Sequence, residues 1–328
     1  MLDFDTVKGH EDIIRVLKNS IVQKQVSHAY IFDGMEGVGK RTLAKAFAKS
    51  LQCEKGGAMP CGECESCRSF ENGTNPDVFY IEREKKNMTV DIIREDITRR
   101  LETAPYSNKY KIFIVNEGDT MNEAAQNAFL KTLEEPPEYA VFIILCRNFA
   151  RFIATVLSRC IIFKLHPLSY ETVAEFVAKE KGIPLAEALV YAKYSSGSIG
   201  KALSFIDDEE FKEKREYAFS LVDNIEKASD INTVCLLSED LSKRGDVSEI
   251  FDIIYMIYRD CLVYKATGSV KRLIQTEKKD FIVSLAKAKS YKSIANTADA
   301  IGDTLKRISY NADVKLVSES LFLKMKEK

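Results

Sequence analysis

Short apolar runs alternate with longer amphipathic stretches through the first half of the chain, the pattern of a parallel sheet covered by helices. Five runs read as strands: "AYIFD" (Ala29 to Asp33), "DVFYI" (Asp77 to Ile81), "KIFIV" (Lys111 to Val115), "VFIIL" (Val141 to Leu145) and "CIIFK" (Cys160 to Lys164). Between them, "TVDIIREDITRRL" puts Val90, Ile93, Ile97 and Leu101 on one helical face. "NEAAQNAFLKTLEE" does the same with Ala125, Phe129 and Leu133, and Pro136 and Pro137 end it. After "HPLS" (His166 to Ser169) the pattern changes. Pro184 is the last proline, only Gly245, Gly268 and Gly302 follow Gly200, and the rest is rich in Leu, Lys, Glu and Ala. A run with so few breakers reads as all helix. The expected fold class is therefore α/β plus all-α: a parallel sheet with helices on both faces over residues 1–165, a small helical unit over 166–207 and a larger helical domain over 208–328.

Composition narrows the partners. At 328 residues the chain is long for one core, and 45% hydrophobic with 30% charged residues describes an ordinary globular protein. The formal net charge of −1 supplies no basic field for nucleic acid, so any DNA contact is local or belongs to a partner. "MLDFD" lacks the layout of a signal peptide, and the apolar run "AVFIILC" (Ala140 to Cys146) is far too short to cross a bilayer. A cytosolic protein is expected, in which thiols stay reduced.

Two sets of residues carry candidate chemistry. In "GMEGVGKRTLAKAF", Gly34, Gly39 and Lys40 fill three of the four fixed places of a P-loop, between an apolar strand and a helix, where loop amides and the helix N-terminus can cradle phosphates. The fourth place, normally a Ser or Thr hydroxyl on Mg²⁺, is Arg41, which also reads as a solvated surface side chain; Thr42 is one place late, about 100° round the helix. At the end of the third strand, where a P-loop ATPase puts a magnesium-holding Asp, stands Asn116, followed by Glu117. The amide is a poor ligand for a hard cation, and capping of the next turn explains it equally well.

Cysteines form the second set. "CEKGGAMPCGECESC" spaces Cys53, Cys61, Cys64 and Cys67 as C-x7-C-x2-C-x2-C. Four thiolates so close suit a closed, structural Zn²⁺ site. An iron–sulfur cluster is the alternative, but the proline that usually follows a downstream fourth cysteine is missing. Cys146, Cys160, Cys235 and Cys261 are scattered, and core packing accounts for them.

From "HAYIFDGMEGVGK" through "CGECESC", "NPDVFYIE", "NEAAQNAFLKTLEEPP" and "TVLSRCIIFKL" to "SSGSIGKAL", these pieces in this order resemble the clamp-loader branch of the AAA+ ATPases, and within it the delta-prime family of bacterial DNA polymerase III. "NAFLKTLEEPP" together with "SRC" is specific to clamp loaders in a way that a lone P-loop is not. The likeness covers roughly residues 1–205; the helical remainder matches in length and composition only. It implies an AAA+ P-loop domain with an inserted zinc module (53–67), a lid domain and a C-terminal helical collar that joins subunits. It implies that Arg159 is an arginine finger acting in trans, set at a strand edge by Ser158 and Cys160. Outside the resemblance, Arg159 reads as a surface arginine capping the last strand.

The implied partners are the gamma/tau and delta subunits in a hetero-pentameric ring, the sliding clamp, and primed DNA through the assembly. The implied setting is the bacterial cytoplasm, at a nucleoid-associated replisome, with no membrane. Motor subunits of the family keep the Ser or Thr, the Asp and a lid arginine. Here those places hold Arg41, Asn116 and Gly200, with Lys201 next along. Three alterations in one site imply that the chain's own ATP hydrolysis is lost. ATP or ADP held weakly without turnover stays compatible, and enzyme status then comes only from membership of the polymerase holoenzyme. Two other readings compete. One is a gamma/tau-type motor ATPase. The other is a zinc-dependent DNA-binding module, against which stands the mixed charge of "CGECESCRSFENG".

Overall fold

The computed structural model describes residues 2–83, 87–310 and 312–326. Five strands, β1 (Ala29–Asp33), β2 (Val78–Ile81), β3 (Lys111–Val115), β4 (Ala140–Cys146) and β5 (Ile161–Lys164), form one sheet in the order β2-β3-β4-β1-β5. All four pairings are parallel. Helices must then cover both faces, because each parallel crossover lays one against the sheet.

Alternation along the strands feeds two cores. Tyr30, Phe32, Ile112, Ile114, Ile143 and Leu145 point to one face and pack with Leu17, Leu43 and Phe47 from the helices Glu11–Val22 and Lys40–Leu51. Ile31, Phe113, Val115, Phe142 and Ile144 point to the other and pack with Ile93, Ile97, Phe129 and Leu133. On this second face the Phe79, Phe113 and Phe142 rings stack in sequence, at 5.2 and 5.3 Å between centroids.

The expected strands are found, with β2 and β5 starting one residue later and β4 one residue longer at each end than the pattern indicates. Asp77 lies just before β2 because its carboxylate accepts hydrogen bonds from the Tyr106, Ser107 and Asn108 amides at 2.6, 3.0 and 3.2 Å, fixing a loop instead of extending a strand. Cys160 closes the turn before β5 through its amide to Leu157 O at 3.3 Å. The expected helix around residues 89–101 forms, with an i→i+5 segment, Ile93–Thr98, between the α-helical turns Val90–Ile92 and Arg99–Leu101.

The chain divides into two compact units, one of Met1–Thr172 with Ser196–Lys201, the other of Val173–Ser195 with Ala202–Lys328. The second unit has only helices and turns among its described residues, the longest helix being Val247–Thr267. Its helices start where the sequence offers caps: Asp230, Ser290 and Asp313 each accept the amide three residues on. Buried Asp260 accepts the Ile274 and Gln275 amides at 2.7 and 2.8 Å, so a connecting segment is held from the middle of Val247–Thr267. Among the described residues no helix is long and apolar enough to cross a membrane.

Candidate functional site

The loop from Gly34 to Gly39 joins the carboxyl end of β1 to the helix Lys40–Leu51, with Gly39 at the helix N-cap. All six of its carbonyls meet donors from this same chain. Lys40 Nζ donates to Gly34 O and, at 2.9 Å, to Met35 O. Ser198 Oγ donates to Glu36 O at 2.8 Å, and the Gly200 amide to Gly37 O at 2.9 Å. His10 Nε2 lies 3.2 Å from Val38 O, and the Leu43 amide reaches Gly39 O at 2.9 Å. Burial lowers the Lys40 pKa, since its ammonium is enclosed by the loop it binds.

The contact with residues 198–200 is backbone on backbone. A Cβ on Gly37 would lie 2.4 Å from Ser198 Oγ, and one on Gly200 would lie 2.8 Å from Gly37 Cα. Both positions therefore require glycine. At Gly200 the lack of a side chain is what lets this turn close on the loop.

Alternating charges line the adjacent strand ends. Arg41 pairs with Glu82, just past β2. Glu117, in a left-handed conformation with φ 48°, accepts Arg83 Nε at 2.6 Å and Arg147 Nη2 at 3.5 Å. Arg147 also reaches Glu36 Oε2 in the loop at 2.7 Å. Asn116 gives its backbone amide to Ile81 O at 2.9 Å, and the N-cap of the following turn, Gly118–Thr120, is Glu117 rather than Asn116. Thr42 sits half-buried in the first turn of its helix. The structure thus gathers Gly34, Gly39, Lys40, Arg41, Thr42, Asn116 and Glu117 at the carboxyl edge of the sheet. Arg41 and Glu117 are there engaged with charges of the chain itself.

Arg159 stands at the other edge. β1 and β5 are parallel and in register, Tyr30 with Ile161 and Asp33 with Lys164, so a residue before Ile161 lies at the amino edge of the sheet. It follows the short helix Ala154–Leu157, and its amide bonds Val156 O at 3.1 Å. The guanidinium gives Nη1 to Thr155 O at 2.9 Å and Ser158 Oγ at 3.4 Å, and its Nη2 stands 2.9 Å from Glu134 Oε1 as an ion pair, while a third of the side chain stays exposed. Roughly 10 Å of strand separates the two edges, so Arg159 does not serve the loop of its own chain.

Cys53, Cys61, Cys64 and Cys67 converge, their sulfurs all within 4.8 Å of one another. The Cys61 amide donates to Cys53 Sγ at 3.3 Å, the Cys64 amide to Cys61 Sγ at 3.4 Å and the Cys67 amide to Cys64 Sγ at 3.3 Å. Cys64 thereby caps the helix Glu65–Glu71. Backbone N–H groups at Glu63 and Cys64 pull the Cys61 thiol down to about 6, whereas burial pushes Cys67 up to about 12. A tetrahedral ion with about 2.3 Å bonds needs sulfurs about 3.8 Å apart, close to the 4.0 Å between Cys61 and Cys67. The residues present fit one thiolate-bound metal ion.

The sequence reading did not include Glu36, Gly37, Arg147, Arg83, Ser198 or Glu134 as site residues. Glu36 and Gly37 lie inside the P-loop stretch, Ser198 inside "SSGSIGKAL" and Glu134 inside "NEAAQNAFLKTLEEPP", but nothing in those motifs names what they touch.

A family model described as "DNA polymerase III, delta subunit" matches residues 9–169. DNA polymerase III subunit tau of Bacillus subtilis (strain 168) is 30% identical over 302 residues, covering 84% of this chain and 53% of that protein. DNA polymerase III subunit delta' of the same organism is 26% identical over 321 residues, 96% of this chain and 95% of that protein. Among solved structures, a DNA polymerase III gamma subunit-related protein from Thermotoga maritima aligns over 96% of this chain and 98% of that chain at 20% identity, with a TM-score of 0.38. The chain spans about half the length of the tau subunit it matches. It belongs to the family of DNA polymerase III subunits that these matches delimit, and of the two Bacillus subtilis relatives the delta' subunit is the one matched over nearly its whole length.

Proposed function

We propose that this chain is a clamp-loader subunit of the delta-prime kind, which helps load the sliding clamp onto primed DNA by completing a neighbour's ATP site with Arg159. The observation that carries this reading is the split between the two edges of the sheet. The loop that would hold the chain's own nucleotide is tied by internal donors along its length. The arginine that could serve a nucleotide stands a strand away and partly exposed. An arginine brought to another subunit's transferring phosphate offsets charge that develops in the transition state, and such a group is worth roughly 10³–10⁵ in rate.

In this reading the chain's own hydrolysis is lost. Arg41 pairs with Glu82 where a hydroxyl would hold Mg²⁺, Asn116 brings no charge, and Gly200 meets the loop where a lid arginine would reach phosphate. The 30% identity to a tau subunit favours a second reading, an ATP-hydrolysing motor. The same three residues count against it. The four cysteines hold Zn²⁺ in a closed, structural site, because a cluster of several irons would spread the sulfurs farther than one ion does. Residues 166–207 act as the lid and 208–328 as the collar that meets the gamma/tau and delta subunits in a hetero-pentameric ring.

The test is steady-state ATP turnover by the isolated chain and by the reconstituted assembly carrying wild-type or Arg159→Ala protein. The proposal expects no turnover by the isolated chain and a depressed rate in the Arg159→Ala assembly. Turnover by the isolated chain that Lys40→Ala abolishes would move it to the motor class.

A further inference from the structure

We infer that Glu134 is a positioning residue for Arg159: it holds one side of the guanidinium so that the opposite edge faces outward, ready for two oxygens of a neighbouring subunit's phosphate. The inference rests on Arg159 acting in trans.

Geometry supports it first. Nη1 is taken by Thr155 O and Ser158 Oγ, and Glu134 Oε1 stands 2.9 Å from Nη2 as an ion-pair partner. Among the described residues neither Nε nor Nη2 has a hydrogen-bond acceptor. Those two donors form the side-on fork with which a guanidinium contacts a phosphate bidentately. A lysine offers no such pair of edges. Its point charge would be spent on Glu134.

The support under Glu134 is rigid. Its helix, Glu123–Glu134, is pinned to the sheet by Ala125, Phe129 and Leu133, each at most 2% exposed, and Pro136 prevents it from running on. On the other side Val156, 1% exposed, anchors the turn that carries Arg159. Two packed elements from different crossovers thus fix the carboxylate and the guanidinium independently, which keeps a side chain within the narrow tolerance of a functional site.

Charge placement points the same way. Glu134 occupies the last turn of its helix, where the aligned backbone dipoles disfavour an anion and favour Lys or Arg. An acid there is locally misplaced unless a cation answers it, and Arg159 is that cation. The neighbouring Glu135 has no ion pair among the described residues and supplies an internal control. With 33% of the Arg159 and 48% of the Glu134 side chain exposed, the pair contributes little to stability, so removing it leaves the fold intact.

The experiment is a double-mutant cycle in the assembly reconstituted with its ATP-hydrolysing subunits, reading kcat and KM for ATP separately. Glu134→Gln lowers kcat roughly threefold to tenfold with KM unchanged, as expected for a misaimed group. Glu134→Asp falls between Gln and wild type, and Glu135→Gln matches wild type. In the Arg159→Ala background, Glu134→Gln has no further effect, because Glu134 acts only through the arginine. Three results would overturn the inference while leaving the finger intact: a wild-type or raised kcat for Glu134→Gln, a loss carried by KM alone, or an additive loss in the double variant. If Arg159→Ala itself matches wild type, the reading of Arg159 fails, and this inference fails with it. Denaturation midpoints measured alongside separate any folding defect, and Glu134→Asp, which keeps the charge, remains informative if Glu134→Gln is unstable.

Discussion

The Gly34–Gly39 loop and the Arg159 corner both carry groups suited to phosphate, and the chain holds them in opposite ways. At the loop the backbone itself is tied: six successive carbonyls accept donors from Lys40, Ser198, Gly200, His10 and Leu43. At the corner the backbone is an ordinary turn and only the guanidinium is guided, with its Nε and Nη2 groups lacking hydrogen-bond acceptors among the described residues. A tied backbone cannot reorganise around a ligand without breaking several hydrogen bonds at once, whereas a guided side chain engages one by completing its donor set. On the proposed reading, a chain whose arginine serves a neighbour is rigid where it would have acted and ready where it is needed.

The largest expected effect tests the ready side. Arg159→Ala depresses ATP turnover at the neighbouring site on the order of 10³-fold, with a smaller loss for the whole assembly because other sites keep their own fingers. Arg159→Lys recovers little of it. Clamp-loading rate at saturating subunit concentration is the measurement. An unchanged rate would erase the contrast by reducing the corner to a strand end.

Next in size is removal of the metal. The cysteine cluster follows directly on the helix that begins with Lys40, so it steadies the loop side of the contrast. Cys64→Ser, or prolonged chelation, costs several kcal/mol of stability, since binding free energy of a structural ion is folding free energy. The zinc reading expects elemental analysis to return one zinc per chain in the wild type. Hydrogen exchange rises around residues 40–71 and stays unchanged around Arg159. Iron in the purified protein would replace the zinc assignment.

How much of this was legible in sequence follows from the range of each signal. The strands were readable because a buried parallel strand must be apolar at nearly every position, as β4 is from Ala140 to Cys146. The cysteine cluster was readable because its four ligands lie within one short segment. The tie on the loop was not. Ser198 meets Glu36 across 162 positions, and nothing at either residue names the other. Glu36, Glu117, Arg83 and Arg147 become neighbours only because β2, β3, β4 and β1 end side by side, which is a property of strand order. Residue type alone does not fix burial on a helix: Leu321 is 1% exposed, whereas Leu316 on the same helix is 65% exposed. A glycine in place of an arginine reads as a loss in sequence, and only the 2.8 Å approach to Gly37 makes it a requirement.

A smaller effect probes that requirement. Gly200→Ala places a methyl group against Gly37 Cα and costs about 1–3 kcal/mol, as overpacking does. Gly200→Arg costs at least as much and restores no hydrolysis, because Arg41 and Asn116 are still in place. Urea denaturation and an ATPase assay on the same preparations decide it. A stable Gly200→Arg protein that hydrolyses ATP would mean that the loop was never tied, only missing one contact.

The smallest effect concerns Lys40 and is read as a pH dependence. Burial lowers its pKa in the folded chain, while the unfolded chain keeps the ordinary value near 10.4. Between the lowered value and about 10.4 the unfolded state binds the proton and the folded state does not, so this group makes stability rise as pH rises through that window. Below the window both states are protonated, and the contribution is a constant penalty offset by the bonds to Gly34 O and Met35 O. Lys40→Met removes the rise. It leaves those two carbonyls to water, so the variant is modestly less stable at neutral pH. Its stability relative to wild type falls further as pH increases. Denaturant midpoints for both proteins at pH 8 and pH 10 measure the difference. Parallel midpoints would place the Lys40 ammonium in solvent and loosen the loop, bringing the two edges of the sheet back to the same footing.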